Sequence, residues 1–377
     1  MLAPAEIEAL YEALEAVAPD LEATAREAEL QRSAPDRVAA ALRAAKVPLS
    51  KAPREVGGFE ISPAQQVDYF ARLTYLNPTA GWIAFNQAGA LAIIASKIAE
   101  AGLEKLFASG TPLVAAVSSP TGRSARDGNG FRATGRWQYA SGVACSDYAV
   151  LITICEDPPA PLGVIVPVSE LTFHDDWHVA ALQGSGSIDV SLDDAFVPAE
   201  MTLDPLGPHQ RGGPMFTLGY KVFVAGENFG FSLGVAQRFL HEITEQLRHK
   251  RRVIDPGTVG ARSAFQIEVA RTDFVLRSTR ALMLEELETA MEFVTRDGLQ
   301  PEENRLRVEG ALSWATESVV QACVRLFPFA GAGALHLDNP LQRALRDLIG
   351  SGQHYVATNQ QIEDWGKWLS GPTETST

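Results

Sequence analysis

Gly135-Arg136-Trp137-Gln138-Tyr139-Ala140-Ser141-Gly142 closes one strand-like segment, and Trp177-His178-Val179-Ala180-Ala181-Leu182-Gln183-Gly184-Ser185-Gly186-Ser187 lies between two others. Phe131 to Tyr139 alternates inward and outward positions after a Gly128-Asn129-Gly130 turn. Strands are also expected at Pro112–Val117, Tyr148–Ile154, Leu162–Pro167, Leu171–Trp177 and Ser187–Leu192, with Asp193-Asp194-Ala195-Phe196-Val197-Pro198 ending the block. Elsewhere the apolar spacing is three and four, the signature of helix. A small β-rich block thus interrupts a helical chain. Trp, Ser and Gly at its loop ends suit the binding of a flat ring system.

Working outward, Leu10, Leu14, Val17 and Leu21 mark a helical stretch from Pro4 to Ala45. Ser62-Pro63 reads as an N-cap followed by Pro in the first turn. Asn77-Pro78-Thr79 breaks that helix, and a segment apolar on all faces follows from Ala80 to about Ile98. Glu100–Ala108 adds a short helix. Beyond the Pro/Gly connector 205–214, the stripe Phe229, Leu233, Val235, Phe239, Ile243, Leu247 begins a second helical block. Ser263–Arg296, Glu302–Arg325 and Pro340–Lys367 supply three more long helices, enough for a four-helix bundle. The predicted fold is mainly α with an inserted β-domain, a barrel or sandwich. Its domains are 1–111 (helical), 112–205 (β) and 206–377 (bundle), and the tail 371–377 is read as disordered.

Composition narrows the function. The chain of 377 residues is 46% hydrophobic and carries 32 Lys and Arg against 46 Asp and Glu, a net charge of −14. Such a surface gives no electrostatic support for nucleic acid or an anionic membrane. Cys145, Cys155 and Cys323 fall in no metal-ligand pattern, and their low odd count fits a reducing cytoplasm. Neither a secretory leader nor a membrane span is expected. Gly331-Ala332-Gly333 follows no strand, so it is not a dinucleotide fingerprint.

The order of helices, β-domain and bundle resembles the acyl-CoA dehydrogenase fold. The landmarks are Gly135-x-Trp137-x-x-x-Ser141-Gly142, the Trp177–Ser187 segment, Asp194–Pro198, and Asn339-Pro340-Leu341-Gln342-Arg343 followed by Arg346-Asp347 and His354. Together they resemble one branch, the two-component flavin-dependent monooxygenases, or group D hydroxylases. That resemblance implies reduced FMN or FAD taken from a separate NAD(P)H:flavin reductase and reacted with O₂ to a C4a-hydroperoxide. One oxygen then enters a small substrate, aromatic or heterocyclic. It further implies a homotetramer.

On this resemblance, Ser141 stands beside the flavin N5 and O4 edge, and His354 faces its reactive side as a hydrogen-bond donor or acceptor. Trp137 and Trp177 have two readings, flavin contacts walling the ring or plain β-domain core; Gly142 is expected among the flavin contacts. Gly184, Ser185 and Ser187 would present amides and hydroxyls to the phosphate or ribityl chain. Arg346, with Arg343 and Asp347, has two readings: a phosphate anchor or a structural ion-pair network. Trp82 and Asn86 are the expected substrate-pocket residues. The helix holding them has no histidine, unlike several phenol hydroxylases of this type, which puts simple phenol deprotonation in doubt. Ala181 stands where the family usually has Gly. No metal is expected. The alternatives are an acyl-CoA dehydrogenase, with Glu363 or Glu227 as base, and a flavin-binding protein without catalysis.

Overall fold

The computed structural model describes residues 3–156, 158–251 and 257–371. The helices are α1 (Pro4–Gln31), α2 (Asp36–Ala44), α3 (Pro63–Leu76), α4 (Pro78–Lys97), α5 (Glu100–Leu106), α6 (Tyr220–Phe223), α7 (Ala225–His249), α8 (Ser263–Asp297), α9 (Glu302–Leu326), α10 (Pro340–Ser351) and α11 (Asn359–Ser370). The strands are β1 (Val114–Asp127), β2 (Gly130–Trp137), β3 (Tyr148–Glu156), β4 (Pro159–Pro167), β5 (Thr172–Phe173), β6 (Val190–Pro198) and β7 (Thr202–Leu203). Among these residues no helix is long and apolar enough to cross a membrane. The segment 372–377, most of the tail read as disordered, lies outside the described residues.

Two compact units emerge, 1–61 with 79–216 and 62–78 with 217–377. The expected helical domain 1–111 is therefore divided: α3 groups with the C-terminal helices, the rest with the sheet. Local chemistry explains the break. Ser62 caps α3 through a reciprocal box with Gln65. Asn77 is extended (φ −155°), as a residue before proline must be, and Pro78 opens α4.

In the first unit seven strands are hydrogen-bonded in the order β5-β6-β2-β1-β3-β4-β7. Among the described strand pairs only β1–β3 is parallel. Register shifts fall between Val117 and Gly122 on β1 and between Ala133 and Gly135 on β2. Both serve Trp137. A Cβ on Gly122 would stand 2.1 Å from its ring, and one on Gly135 would stand 2.8 Å from it. The Leu171–Trp177 strand shrinks to Thr172–Phe173, because from His174 on the chain turns on local bonds such as Asp176 N–H to His174 O, 3.0 Å. Apolar α4 is buried at every position but Pro78, Asn86 and Ile93.

In the second unit α7, α8 and α9 pack together, α3 lies on α7 and α8, α10 on α7 and α9, and α11 on α9. The expected fourth long helix, Pro340–Lys367, is two helices joined through a 3-10 turn at Tyr355–Ala357. The stripe from Phe229 to Leu247 is buried throughout. Gly226, Gly230 and Gly234 form a smooth ridge along α7. Added Cβ atoms there would meet the carbonyl oxygens of Pro63, Val67 and Ala71 on α3 at 1.9, 2.7 and 2.2 Å. Glycine is thus a requirement of this contact, despite its cost inside a helix.

Gly234→Ala should therefore destabilise the protein by about 1–3 kcal/mol, since overpacking outweighs the gain in helix propensity. Gly366→Ala on α11, where a Cβ meets open space, should stabilise it by about 0.5–1 kcal/mol. Denaturant unfolding of both variants checks the contrast.

Candidate active site

After β2 the chain makes a tight turn with Tyr139 at φ +65° and Gly142 at φ +70°. A tyrosine in the left-handed region is strained and needs support from its surroundings. Ala140 N–H donates to Ile188 O (3.0 Å) and Gly142 N–H to Ser185 O (2.9 Å), so each cassette holds the other. A side chain at Gly142 would meet the backbone strain of positive φ and also Ile83 Cγ2 at 2.7 Å. Gln87 on α4 donates to Ser146 Oγ (2.9 Å), which donates to Gly142 O (2.9 Å). Neighbouring Cys145 stays a thiol, burial pushing its pKa up to about 11.

This frame positions Ser141. Its Oγ accepts a hydrogen bond from Trp82 Nε1–H (3.2 Å) and bonds Ser187 Oγ at 2.7 Å. Ser187 Oγ in turn bonds Ser185 Oγ at 2.7 Å, and Ser185 donates to Leu182 O at 2.7 Å. Trp82, Ser141, Ser185 and Ser187 thus form one connected cluster, drawn from α4, the β2 turn and the second cassette. Asn86 donates its Nδ2–H to Trp82 O (2.7 Å).

Two expectations change. Trp137 is fully buried in the sheet core and donates Nε1–H to Ile152 O (2.7 Å), so it presents no face to a ligand. The Gly184–Ser187 loop is not an open nest of amides. Ser185 N–H is spent on Leu182 O (3.0 Å) and Gly186 N–H on Gln183 O (3.4 Å), while the Ser185 and Ser187 side chains are buried. Gly184 is glycine because a Cβ would meet Thr79 Oγ1 at 2.4 Å. Trp177 is half-buried, donates to Leu182 O (3.2 Å) and meets the exposed Tyr139 edge-on. It lines a cleft of about 240 Å³ with Arg32, Ser33 and Gly186. Arg32, paired with Asp175 at 2.9 Å, had no signal in the sequence: it ends α1, far along the chain from its partners.

In the second unit His354 precedes the 3-10 turn after α10 and lies against Tyr355, with ring centroids 5.0 Å apart. Burial pushes its pKa down to about 4, so the ring is neutral at pH 7. Arg346 donates Nε–H to Gln342 Oε1 one turn back (2.8 Å). Glu363 is exposed and paired with Lys367 at 2.6 Å, a solvated carboxylate rather than one held in the buried, apolar setting of a dehydrogenase base. Glu227 is buried in the first turn of α7.

Comparison with known proteins bears on the fold and the class of reaction. The family "Acyl-CoA dehydrogenase, C-terminal domain" matches residues 230–359. An indole-3-acetate monooxygenase of Pseudomonas putida is 26% identical, over 98% of this chain and 96% of that protein. The oxygenase component of an FADH(2)-dependent resorcinol hydroxylase of Rhizobium sp. is 26% identical, over 88% and 86%. Over nearly its whole length the chain is similar to flavin-dependent monooxygenases, and its fold is that of the acyl-CoA dehydrogenases. The same fold is seen in the structure of XiaF from Streptomyces sp. in complex with FADH2 and glycerol, at TM-score 0.87, 23% identity, and 98% and 97% coverage. These relatives and the solvated state of Glu363 both stand against the dehydrogenase alternative.

The depressed pKa of His354 has a stability consequence. The folded protein resists a proton that the unfolded chain accepts near pH 6.5, so His354 supports the fold fully above that pH. Its support is lost as pH falls from about 6.5 toward 4. His209, also pushed to about 4 by burial, acts in the same direction. Between pH 7 and 4.5 the protein should lose thermal stability more steeply than its His354→Asn variant, as calorimetry across that range would show.

Proposed function

We propose that this protein is the oxygenase component of a two-component system, fed with reduced flavin by a separate NAD(P)H:flavin reductase, and that it oxygenates a small aromatic or heterocyclic molecule. The observation that carries the reading is the Ser141 hydroxyl. It is fixed by Trp82 and Ser187, yet it keeps one lone pair unused, in a residue that is buried but not sealed, 9% exposed. A pre-organised polar atom at the end of a strained turn fits a flavin edge.

Bound reduced flavin supplies the activation of O₂; the chain supplies position and polarity. Ser141 would meet the flavin at its N5 edge, with Gly142 letting the backbone approach. Trp177 would border the ring system. Asn86, the one polar residue of α4 that escapes burial near Trp82, meets the substrate. His354, neutral at pH 7, donates or accepts one hydrogen bond toward the flavin without adding charge. Arg346 serves the flavin phosphate. The absence of histidine from α4 favours a substrate that needs no phenol deprotonation there, such as a fused heterocycle.

Both relatives above whose names carry FADH2 support FAD over FMN. Ile267 and Phe274, exposed and seven residues apart on one face of α8, and exposed Trp314 on α9 support a homotetramer. Three free cysteines support a cytoplasmic location.

The test begins without oxygen. Protein is mixed with photoreduced FAD or FMN, and oxygen is then added in a stopped-flow spectrometer. The expected result is reoxidation through an absorbance transient that free flavin lacks, with one of the two flavins bound more tightly. Reoxidation identical to that of free flavin, for both, would overturn the proposal.

A further inference from the structure

The hydroxyl chain at Ser141 has a direction, and that direction follows from counting protons. A serine hydroxyl carries one proton and two lone pairs, an indole N–H only donates, and a carbonyl only accepts. Ser185 spends its proton on Leu182 O at 2.7 Å. The proton in the Ser185–Ser187 bond is therefore that of Ser187. The proton in the Ser187–Ser141 bond is then that of Ser141. Trp82 Nε1–H fills one Ser141 lone pair. What remains on Ser141 Oγ is a single lone pair and no proton. Any ligand atom that meets it must be a donor.

Flavin N5 changes sign with redox state: it carries a proton and donates when reduced, and only accepts when oxidised. We infer that Ser187, by taking the Ser141 proton and passing the polarity on to Ser185 and Leu182, makes Ser141 an acceptor and so gives the protein its preference for reduced over oxidised flavin. This rests on the reading that Ser141 contacts N5. Ser187 and Ser185 are positioning residues: they act only through Ser141. The opposite polarity can be drawn, with Ser185 donating to Ser187, Ser187 to Ser141, and Ser141 outward. It gives up the Ser185–Leu182 bond, and Leu182 O retains the Ser185 N–H and Trp177 Nε1–H donors. The preference is thus set by about one hydrogen bond, a factor of roughly five to ten in relative affinity.

The experiment measures dissociation constants for reduced FAD, under anaerobic conditions, and for oxidised FAD, and takes their ratio. Ser187→Ala frees the Ser141 proton to rotate, so the preference for reduced flavin should fall by about five- to tenfold, mainly through tighter binding of the oxidised form. Ser185→Ala, two hydroxyls from Ser141, should lower the ratio in the same direction. Ser187→Thr, which keeps the hydroxyl, should restore it. Circular dichroism confirms that each variant is folded. An unchanged ratio in folded Ser187→Ala and Ser185→Ala, with Ser141→Ala weakening reduced-flavin binding, would overturn the relay and leave the site reading intact. Unchanged binding of both flavins by Ser141→Ala would overturn the site reading, and the relay with it.

Discussion

The contact on which the second unit depends is the approach of α3 to the glycine ridge of α7. Helices in ordinary packing keep their axes about 8–10 Å apart, their backbones separated by a layer of side chains. Here three glycines one turn apart remove that layer from one partner, and carbonyl oxygens of α3 occupy the space their Cβ atoms would need. The ridge fixes both the position of α3 along α7 and its distance from it. It also explains why a helix that precedes the whole sheet in sequence belongs with helices that follow it. The broad apolar face of α3, with Val67, Phe70 and Leu73 fully buried, then adds the less specific attraction.

The first unit applies the same economy of side chains around Trp137. Gly122 and Gly135 lie against its ring where the β1 and β2 registers shift, and Ile152 O takes its indole proton. The strand end beyond Trp137 is thereby anchored, and the strained turn at Tyr139 begins from a fixed point. From there the polar order takes over. Arg136 binds Asp189 at 2.8 Å and Asp176 at 2.9 Å, tying the two cassettes from the outside. The serine chain ties them from the inside. Buried hydroxyls linked in this way are costly if incomplete, but each one here is satisfied.

Much of the fold was legible in the sequence because it is written in local chemistry. Ser62-Pro63 and Asn77-Pro78 mark α3 through capping and the restriction before proline. The apolar stripe of α7 and the alternation in β2 also appear as read. The failures have long-range causes. The last helix breaks near Gly352, and nothing in its own apolar spacing announces the break. The strand expected at Leu171–Trp177 is curtailed because Asp176 turns its carboxylate to the Asp189 amide (3.0 Å) instead of continuing the ladder. At the site, the resemblance pointed to Ser141, Ser185 and Ser187 as separate ligand contacts. That they share protons depends on a register between loops some forty residues apart, which no spacing encodes. Trp82 was expected at a substrate pocket, yet its indole N–H belongs to Ser141.

The chain passes between its two units three times, near residues 61, 78 and 216. During synthesis, α3 emerges on the ribosome before any of the sheet and long before Ala225 begins its partner helix. Its apolar face must wait, covered transiently or by a helper protein, until the entire first unit has been made. No single cut in the polypeptide yields either unit whole, so the protein cannot be divided into two expressible halves at a linker. Insertion, permutation or fusion is compatible with this architecture only where it leaves the 62–78 excursion uninterrupted.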